Sequence, residues 1–156
     1  MTQESLFPES IDERQKRIDV EIESLLYGNA GGPLHLRLSD DERRVLRAIR
    51  YRRGAANAIS IAEMRETMRR TSAGALGDRE IKNIVRTLRL QFHLPIGSSK
   101  RGSMGGYFVM LTGEDHAILR AQVIDQVRAE LEVLKAVDGP HAALELLGQL
   151  QLEVRA

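Results

Sequence analysis

Five polar side chains follow Asp78 at spacings that place them on the outer side of one helix, and their types suit recognition of nucleic acid. An arginine guanidinium can bond O6 and N7 of guanine together, an asparagine amide can read adenine, and a lysine ammonium pairs with phosphate as a point charge. The sequence therefore predicts a helix that contacts base edges and backbone. The five residues are Arg79, Lys82, Asn83, Arg86 and Arg89.

A second basic pair, Lys100 and Arg101, lies in a loop from Ser98 to Gly106 that is rich in glycine and serine. A flexible basic loop of this kind can follow the phosphate backbone or enter an adjacent minor groove. The same loop does not predict a nucleotide site. Its Gly97-Ser98-Ser99-Lys100 stretch lacks the spacing of a phosphate-binding loop.

Other residue types with reactive chemistry are absent or scattered, so we predict no catalysis, no metal and no cofactor. The chain has no cysteine, which excludes a thiolate zinc site and a cysteine nucleophile. The acidic cluster Asp40-Asp41-Glu42 directly follows Ser39 and is typical of helix capping. The four histidines are not spaced as metal-ligand pairs; they are His35, His93, His116 and His141.

The net charge of +1 hides an uneven distribution along the chain. Residues 1–33 carry 3 basic and 7 acidic side chains, and residues 112–156 carry 4 basic and 8 acidic ones. Residues 35–111 carry 16 basic and 7 acidic side chains, a net of +9. Because phosphate recognition depends on the local field, this basic section between two acidic arms favours a nucleic-acid partner.

Periodicity and capping signals predict the helices that surround these residues. An amphipathic helix is expected over Ile11–Tyr27, before a glycine-rich linker at 28–33. Ser39 with Glu42 and Ser60 with Glu63 form two capping boxes. They predict helices that end near residues 53 and 70, with a short extended piece at residue 59 between them.

The next helix is predicted to begin at Asp78 as its N-cap. Its buried stripe consists of Ile81, Ile84, Val85 and Leu88.

Two short strands are expected next, and the residues after them are again predicted to be helical. The first strand opens at 94–96, the second covers 107–111, and the basic loop joins them into a hairpin. Thr112 is predicted to cap a long helix that runs to about residue 137, and Pro140 suits the first turn of a last helix. In the long helix, a seam follows a–d spacing at Ile124, Val127, Leu131 and Leu134.

The predicted fold is mainly α with a small β-hairpin. The order helix, extended piece, helix, turn, helix, hairpin is that of a winged helix-turn-helix, which we assign to residues 35–111. Residues 1–34 are predicted to be an amphipathic arm and linker outside the main fold. Residues 112–156 are predicted to be helices for dimerisation or partner binding.

The stretch from Asp78-Arg79-Glu80-Ile81 through Leu94-Pro95-Ile96-Gly97-Ser98-Ser99 to Gly106-Tyr107-Phe108 also resembles a known group of proteins. It is similar to winged-helix proteins that phages and prophages encode beside their replication genes. The likeness covers roughly residues 38–137. It implies DNA binding in replication initiation or in transcriptional control.

From the sequence we expect a non-enzymatic protein that binds double-stranded DNA. Helix 78–90 is expected in the major groove, and the loop 98–107 on the backbone or in the minor groove. The alternative is a winged-helix adaptor that docks another protein through the hairpin loop and the acidic helices and has no nucleic-acid role. We further expect a homodimer formed through the long C-terminal helix. With no apolar run near the ~20 residues of a membrane span and no signal peptide, a cytoplasmic protein is expected.

Overall fold

The computed structural model describes residues 9–28, 37–71, 74, 76–100 and 105–155. Over these residues the chain forms helices and one two-stranded antiparallel hairpin. The prediction of a mainly α fold with a small β-hairpin is confirmed. The elements in chain order are α1 (Ile11–Glu23), α2 (Asp40–Ile49), α3 (Ile61–Thr71), α4 (Asp78–Leu90), β1 (Ile96–Ser99), β2 (Gly106–Val109), α5 (Gly113–Asp138) and α6 (Pro140–Arg155).

The two predicted capping boxes are present at the starts of α2 and α3. The Glu42 N–H donates to Ser39 Oγ at 3.2 Å, and the Ser39 N–H donates to the Glu42 carboxylate at 2.7 Å. Ser60 and Glu63 make the same two bonds at 3.1 and 2.9 Å. These bonds satisfy backbone N–H groups that the first helical turn leaves unpaired. Both predicted starts are therefore confirmed.

Helix α2 ends at Ile49, earlier than the predicted end near Arg53, because the following residues pair with the hairpin. The Val109 N–H donates to the Arg52 carbonyl at 2.7 Å, and the Gly54 N–H donates to the Val109 carbonyl at 3.0 Å. Gly54 has a φ of 75°, a conformation that favours glycine. The chain therefore leaves the helix to run beside β2.

The predicted N-cap of α4 is wrong by one residue. Asp78 is the first helical residue, and Gly77 occupies the N-cap position with extended φ and ψ. The Gly77 N–H donates to the Glu80 carboxylate at 2.6 Å. Because Gly77 has no side chain, Asp78 and Glu80 supply the negative charge at this helix start.

Helix α1 lies in the core of the fold, which corrects the prediction of an arm outside it. Ile18 and Ile22 of α1, with Leu26 in the π-helical turn Ser24–Gly28, are buried in the same cluster as the stripes of α2 and α4. Arg53 forms an ion pair with Asp19, and an Arg50 Nη1 lies 3.1 Å from a Glu23 carboxylate oxygen. The apolar stripe of α1 therefore covers a surface of its own chain, and its carboxylates neutralise arginines that follow α2.

The hairpin pairs Ile96 with Val109, and Ser99 with Gly106. Strand β1 therefore extends through Ser99, three residues beyond the predicted opening, and β2 ends at Val109 rather than at residue 111. The predicted extended piece at residue 59 is confirmed, since Ile59 and Tyr107 exchange two backbone hydrogen bonds of 2.9 Å each. This bridge ties the hairpin to the start of α3.

Contacts divide the chain into two compact units, Met1–Leu119 and Arg120–Ala156. The first unit joins the predicted arm and the predicted winged-helix section, together with the start of α5. The border therefore falls within α5 and not at residue 112. At that helix start, the Asp115 N–H donates to Thr112 Oγ at 3.2 Å, as expected of a cap. None of the described helices has both the length and the hydropathy needed to cross a bilayer.

Candidate nucleic-acid interface

Helix α4 separates an apolar face from a polar one. Ile81, Val85 and Leu88 are at most 1% exposed, and they anchor the helix on the core. The opposite face presents four of the five predicted contact residues, all exposed: Arg79, Lys82, Asn83 and Arg86. Their spacing of three or four residues places neighbours about 5–6 Å apart at Cβ. One helix face therefore brings together three cations and one amide.

Those cations have no carboxylate partner among the residues that the structure describes. No ion pair involves Arg79, Lys82 or Arg86. The two carboxylates of α4 are engaged elsewhere, because Asp78 lies 3.2 Å from Arg65 of α3 and Glu80 accepts from Gly77. The positive charge of this face is therefore directed to solvent.

Many other arginines of the basic section are engaged within the fold. Arg44 contacts Asp41 at 2.9 Å, and both Arg69 and Arg70 contact Glu66 at 2.9 and 3.0 Å. These arginines, with Arg50 and Arg53 described above, are therefore held against carboxylates of the fold. The structure therefore distinguishes the exposed cations on the outer face of α4 from the paired arginines, whereas the count of charges treats them all alike.

Arg89, the fifth predicted contact, does not lie with the others. It is half-buried, its Nε donates to the Ile96 carbonyl at 2.7 Å, and its guanidinium lies 5.8 Å from the centre of the Tyr107 ring. Burial lowers the pKa of Arg89 and raises that of Tyr107. Arg89 therefore attaches the hairpin to α4, and Tyr107 packs against it.

The hairpin loop is only partly described. Lys100 is exposed after β1 and has no ion pair among the described residues, whereas Arg101 lies outside them. Gly106 is placed so close to the backbone of Ile59 that a Cβ atom would lie 2.5 Å from its carbonyl carbon. Because Gly106 has no side chain, the hairpin packs directly against the backbone of the segment before α3.

Sequence reasoning did not single out Arg52, another exposed cation with no ion pair among the described residues. It lines a cavity of about 780 Å³ together with Asn57, Glu63 and Asp115. Hydrogen bonds from Ser60 lower the pKa of Glu63, and the charge of Arg52 adds to that effect. Because α2 ends at Ile49, Arg52 lies in the segment that pairs with β2 and not on the helix, and no local signal in the sequence places it there.

Asp115 is the buried carboxylate at the edge of this cavity, and it is committed to backbone donors. It accepts from the N–H groups of Leu111, Thr112 and Ala55 at 2.9 to 3.2 Å. Burial raises the pKa of Asp115, but these bonds outweigh it and hold the pKa below its usual value. The group therefore joins the start of α5 to the 3-10 turn Ala55–Asn57. Within the described ranges, no cluster of three metal-ligating side chains is present.

Comparisons with protein-family models, with curated proteins and with solved structures gave no match to this chain. The winged-helix assignment and the resemblance to phage-type proteins therefore stay predictions.

Proposed function

We propose that this chain is a non-enzymatic winged helix-turn-helix protein that binds double-stranded DNA. Helix α4 is the recognition helix in the major groove, and the hairpin loop with Lys100 contacts the backbone or the adjacent minor groove. The observation that carries the proposal is the outer face of α4, where three exposed cations with no carboxylate partner among the described residues surround Asn83. A role in phage-type replication initiation or in transcriptional control rests on the resemblance alone.

The chemistry of that face divides the contacts. Arg79 and Arg86 suit bidentate recognition of guanine, Asn83 suits adenine, and Lys82 suits phosphate. Because each phosphate contact releases counterions, affinity should fall steeply as salt concentration rises. Arg89 is not among the proposed contacts, since its guanidinium is held by Ile96 and Tyr107.

The test is fluorescence anisotropy of a labelled mixed-sequence duplex titrated with the full chain at several salt concentrations. The variant Lys82→Gln/Arg86→Gln removes two exposed cations from α4. We expect binding at least about tenfold weaker, since one lost contact is worth about 1–3 kcal/mol. The slope of log affinity against log salt should fall by about 1, because Lys82 contacts phosphate and Arg86 a base; a fall of about 2 would place Arg86 on phosphate as well.

The matched control is Lys16→Gln/Arg17→Gln, which removes the same charge from two exposed residues of α1. It should leave the affinity within about twofold, as expected for a charge change away from the contact surface. Equal losses from the two variants would show attraction by overall charge and contradict the assigned interface. A wild-type chain that binds no duplex at low salt contradicts the proposal as a whole and favours the protein-docking alternative.

A selection of bound duplexes from a random library at two salt concentrations then separates the modes of binding. Enrichment of one sequence at both concentrations indicates reading of base edges by α4. Binding without enrichment indicates contacts to the backbone only.

A further inference from the structure

Residues 120–156, the second compact unit, expose apolar side chains that take no part in the proposed DNA contacts. On α5, Val123 is 51% exposed, Val127 45% and Val137 76%. On α6, Leu147 is 37% and Leu150 44% exposed. Exposed apolar side chains in this number, where they form a patch, mark an interaction site on many proteins.

These side chains are arranged as one stripe on each helix. At 3.6 residues per turn, the α5 stripe is roughly 140° wide. Together the two stripes define what we name the C-terminal apolar face: Val123, Ile124, Val127, Leu131, Leu134, Val137, Leu146, Leu147 and Leu150. The three- and four-residue steps on α5 are those of helices that pair along their length. Val133 lies outside this stripe, roughly 120° around α5 from Val127 and beside the stripe's edge at Val137, and it is also exposed, at 60%.

Helix α5 is 26 residues long, and α6, the other helix of its own unit, packs along little of that length. Helices gain most of their stability from packing an apolar stripe, and isolated ones are marginal in water. The stripe on α5 therefore requires a covering surface.

The charges beside the stripes favour a partner whose own charge is close to balanced. Asp125 and Arg128 lie 3.8 Å apart, and Glu132 and Lys135 lie 2.7 Å apart, so these charges are paired within α5. Residues 120–156 carry 4 basic and 6 acidic side chains in all. A strongly charged partner finds little to complement here, whereas a second copy meets no large repulsion.

We propose that the C-terminal apolar face binds the same face of a second copy of this chain, and that the protein is a homodimer in solution. Seven of the nine large aliphatic side chains are 37% to 76% exposed and two are less so, and their burial removes on the order of 400 Å² per copy. Flanking lysine, arginine and glutamate stems bring the total toward the ~1,000 Å² of the smallest specific interfaces. Because weak complexes are common at this size, we expect a dimer of roughly micromolar affinity.

The test is sedimentation equilibrium of the full chain without DNA, over about 1–100 μM, a range that brackets the expected dissociation constant. The mass should rise from the 17.5 kDa monomer toward twice that value. Val127→Gln, within the stripe, should raise the dissociation constant at least about tenfold, because it places an amide in an apolar interface. The matched Val133→Gln, at the rim of the stripe on the same helix, should change it less than about twofold, because rim positions contribute little to binding.

Glutamine is a better helix former than valine, so both variants should keep their far-ultraviolet circular dichroism. A wild-type chain that stays monomeric throughout overturns the proposal, as does an equal effect of the two variants or an assembly of more than two copies. The measurement does not depend on DNA binding. Lys82→Gln/Arg86→Gln should dimerise like the wild type, so the two proposals fail separately.

Discussion

Replacement of Gly106 by alanine tests how the hairpin is held on the core. A Cβ atom at this position would lie 2.5 Å from the Ile59 carbonyl carbon and 2.8 Å from the Ser60 nitrogen. Both atoms belong to the backbone, so neither can rotate away as a side chain would. We therefore expect the added methyl group to separate β2 from the segment before α3.

The cost follows from the bonds that this separation breaks. Ile59 and Tyr107 exchange two backbone hydrogen bonds of 2.9 Å, each worth about 1 kcal/mol. Displaced packing around a methyl group without space adds about 1–3 kcal/mol. Gly106→Ala should thus lower the free energy of unfolding by about 3–5 kcal/mol, which for a unit of this size lowers Tm by about 15 °C.

The assay is thermal and urea unfolding followed by circular dichroism, with Gly113→Ala as the matched control. Gly113 is the first residue of α5 in the same unit, and a Cβ there meets no atom within 4 Å. The same chemical change should raise stability there by about 0.4–1 kcal/mol, because alanine restricts the unfolded chain. A loss below about 1 kcal/mol for Gly106→Ala, or losses of similar size for both variants, refutes the docked position of the hairpin.

Two further predictions concern buried charged groups. Asp115→Asn should lower the free energy of unfolding by about 2–3 kcal/mol at neutral pH, because an amide nitrogen replaces an oxygen that accepts backbone N–H groups. The pKa of Asp115 in the folded chain is below 3.8, so its contribution to the free energy of unfolding is present at higher pH and is lost as the pH falls below that value. Urea unfolding measured from pH 7 downward should therefore show a weaker dependence on acid in the variant than in the wild type. Arg89→Met keeps an apolar stem but loses the bond to the Ile96 carbonyl, so it should lower stability by about 1–2 kcal/mol. Its DNA affinity should depend on salt as the wild type's does. A lower slope of log affinity against log salt in the anisotropy assay would show that Arg89 contacts DNA.

Several features were accessible from the sequence because they depend on residues three or four positions apart. The capping boxes at Ser39 and Ser60 involve partners within one helical turn, and both are present. The stripe of α4 follows the helical period, so its burial and the exposure of Lys82 and Arg86 followed directly from the spacing.

The placement of Arg89, Arg53 and Gly106 was decided by the tertiary structure. The spacing of Arg89 fits the outer face of α4, but the carbonyl of Ile96 and the ring of Tyr107 hold its guanidinium against the hairpin. Arg53 follows α2, yet it pairs with Asp19, 34 residues earlier in the chain. The sequence placed Gly106 at the end of a glycine-rich loop, and only its close approach to the backbone of Ile59 shows why a side chain does not fit there.

The amino-acid sequence alone thus determined which segments are helical, where α2 and α3 begin, and which face of α4 points outward. Those properties depend on local hydrogen bonds and periodicity, which short-range spacing encodes. Tertiary packing decided that α1 belongs to the core and which cations remain unpaired. Charges and apolar stripes that are distant in the chain become partners only when the fold brings them together, and no local pattern records those pairings.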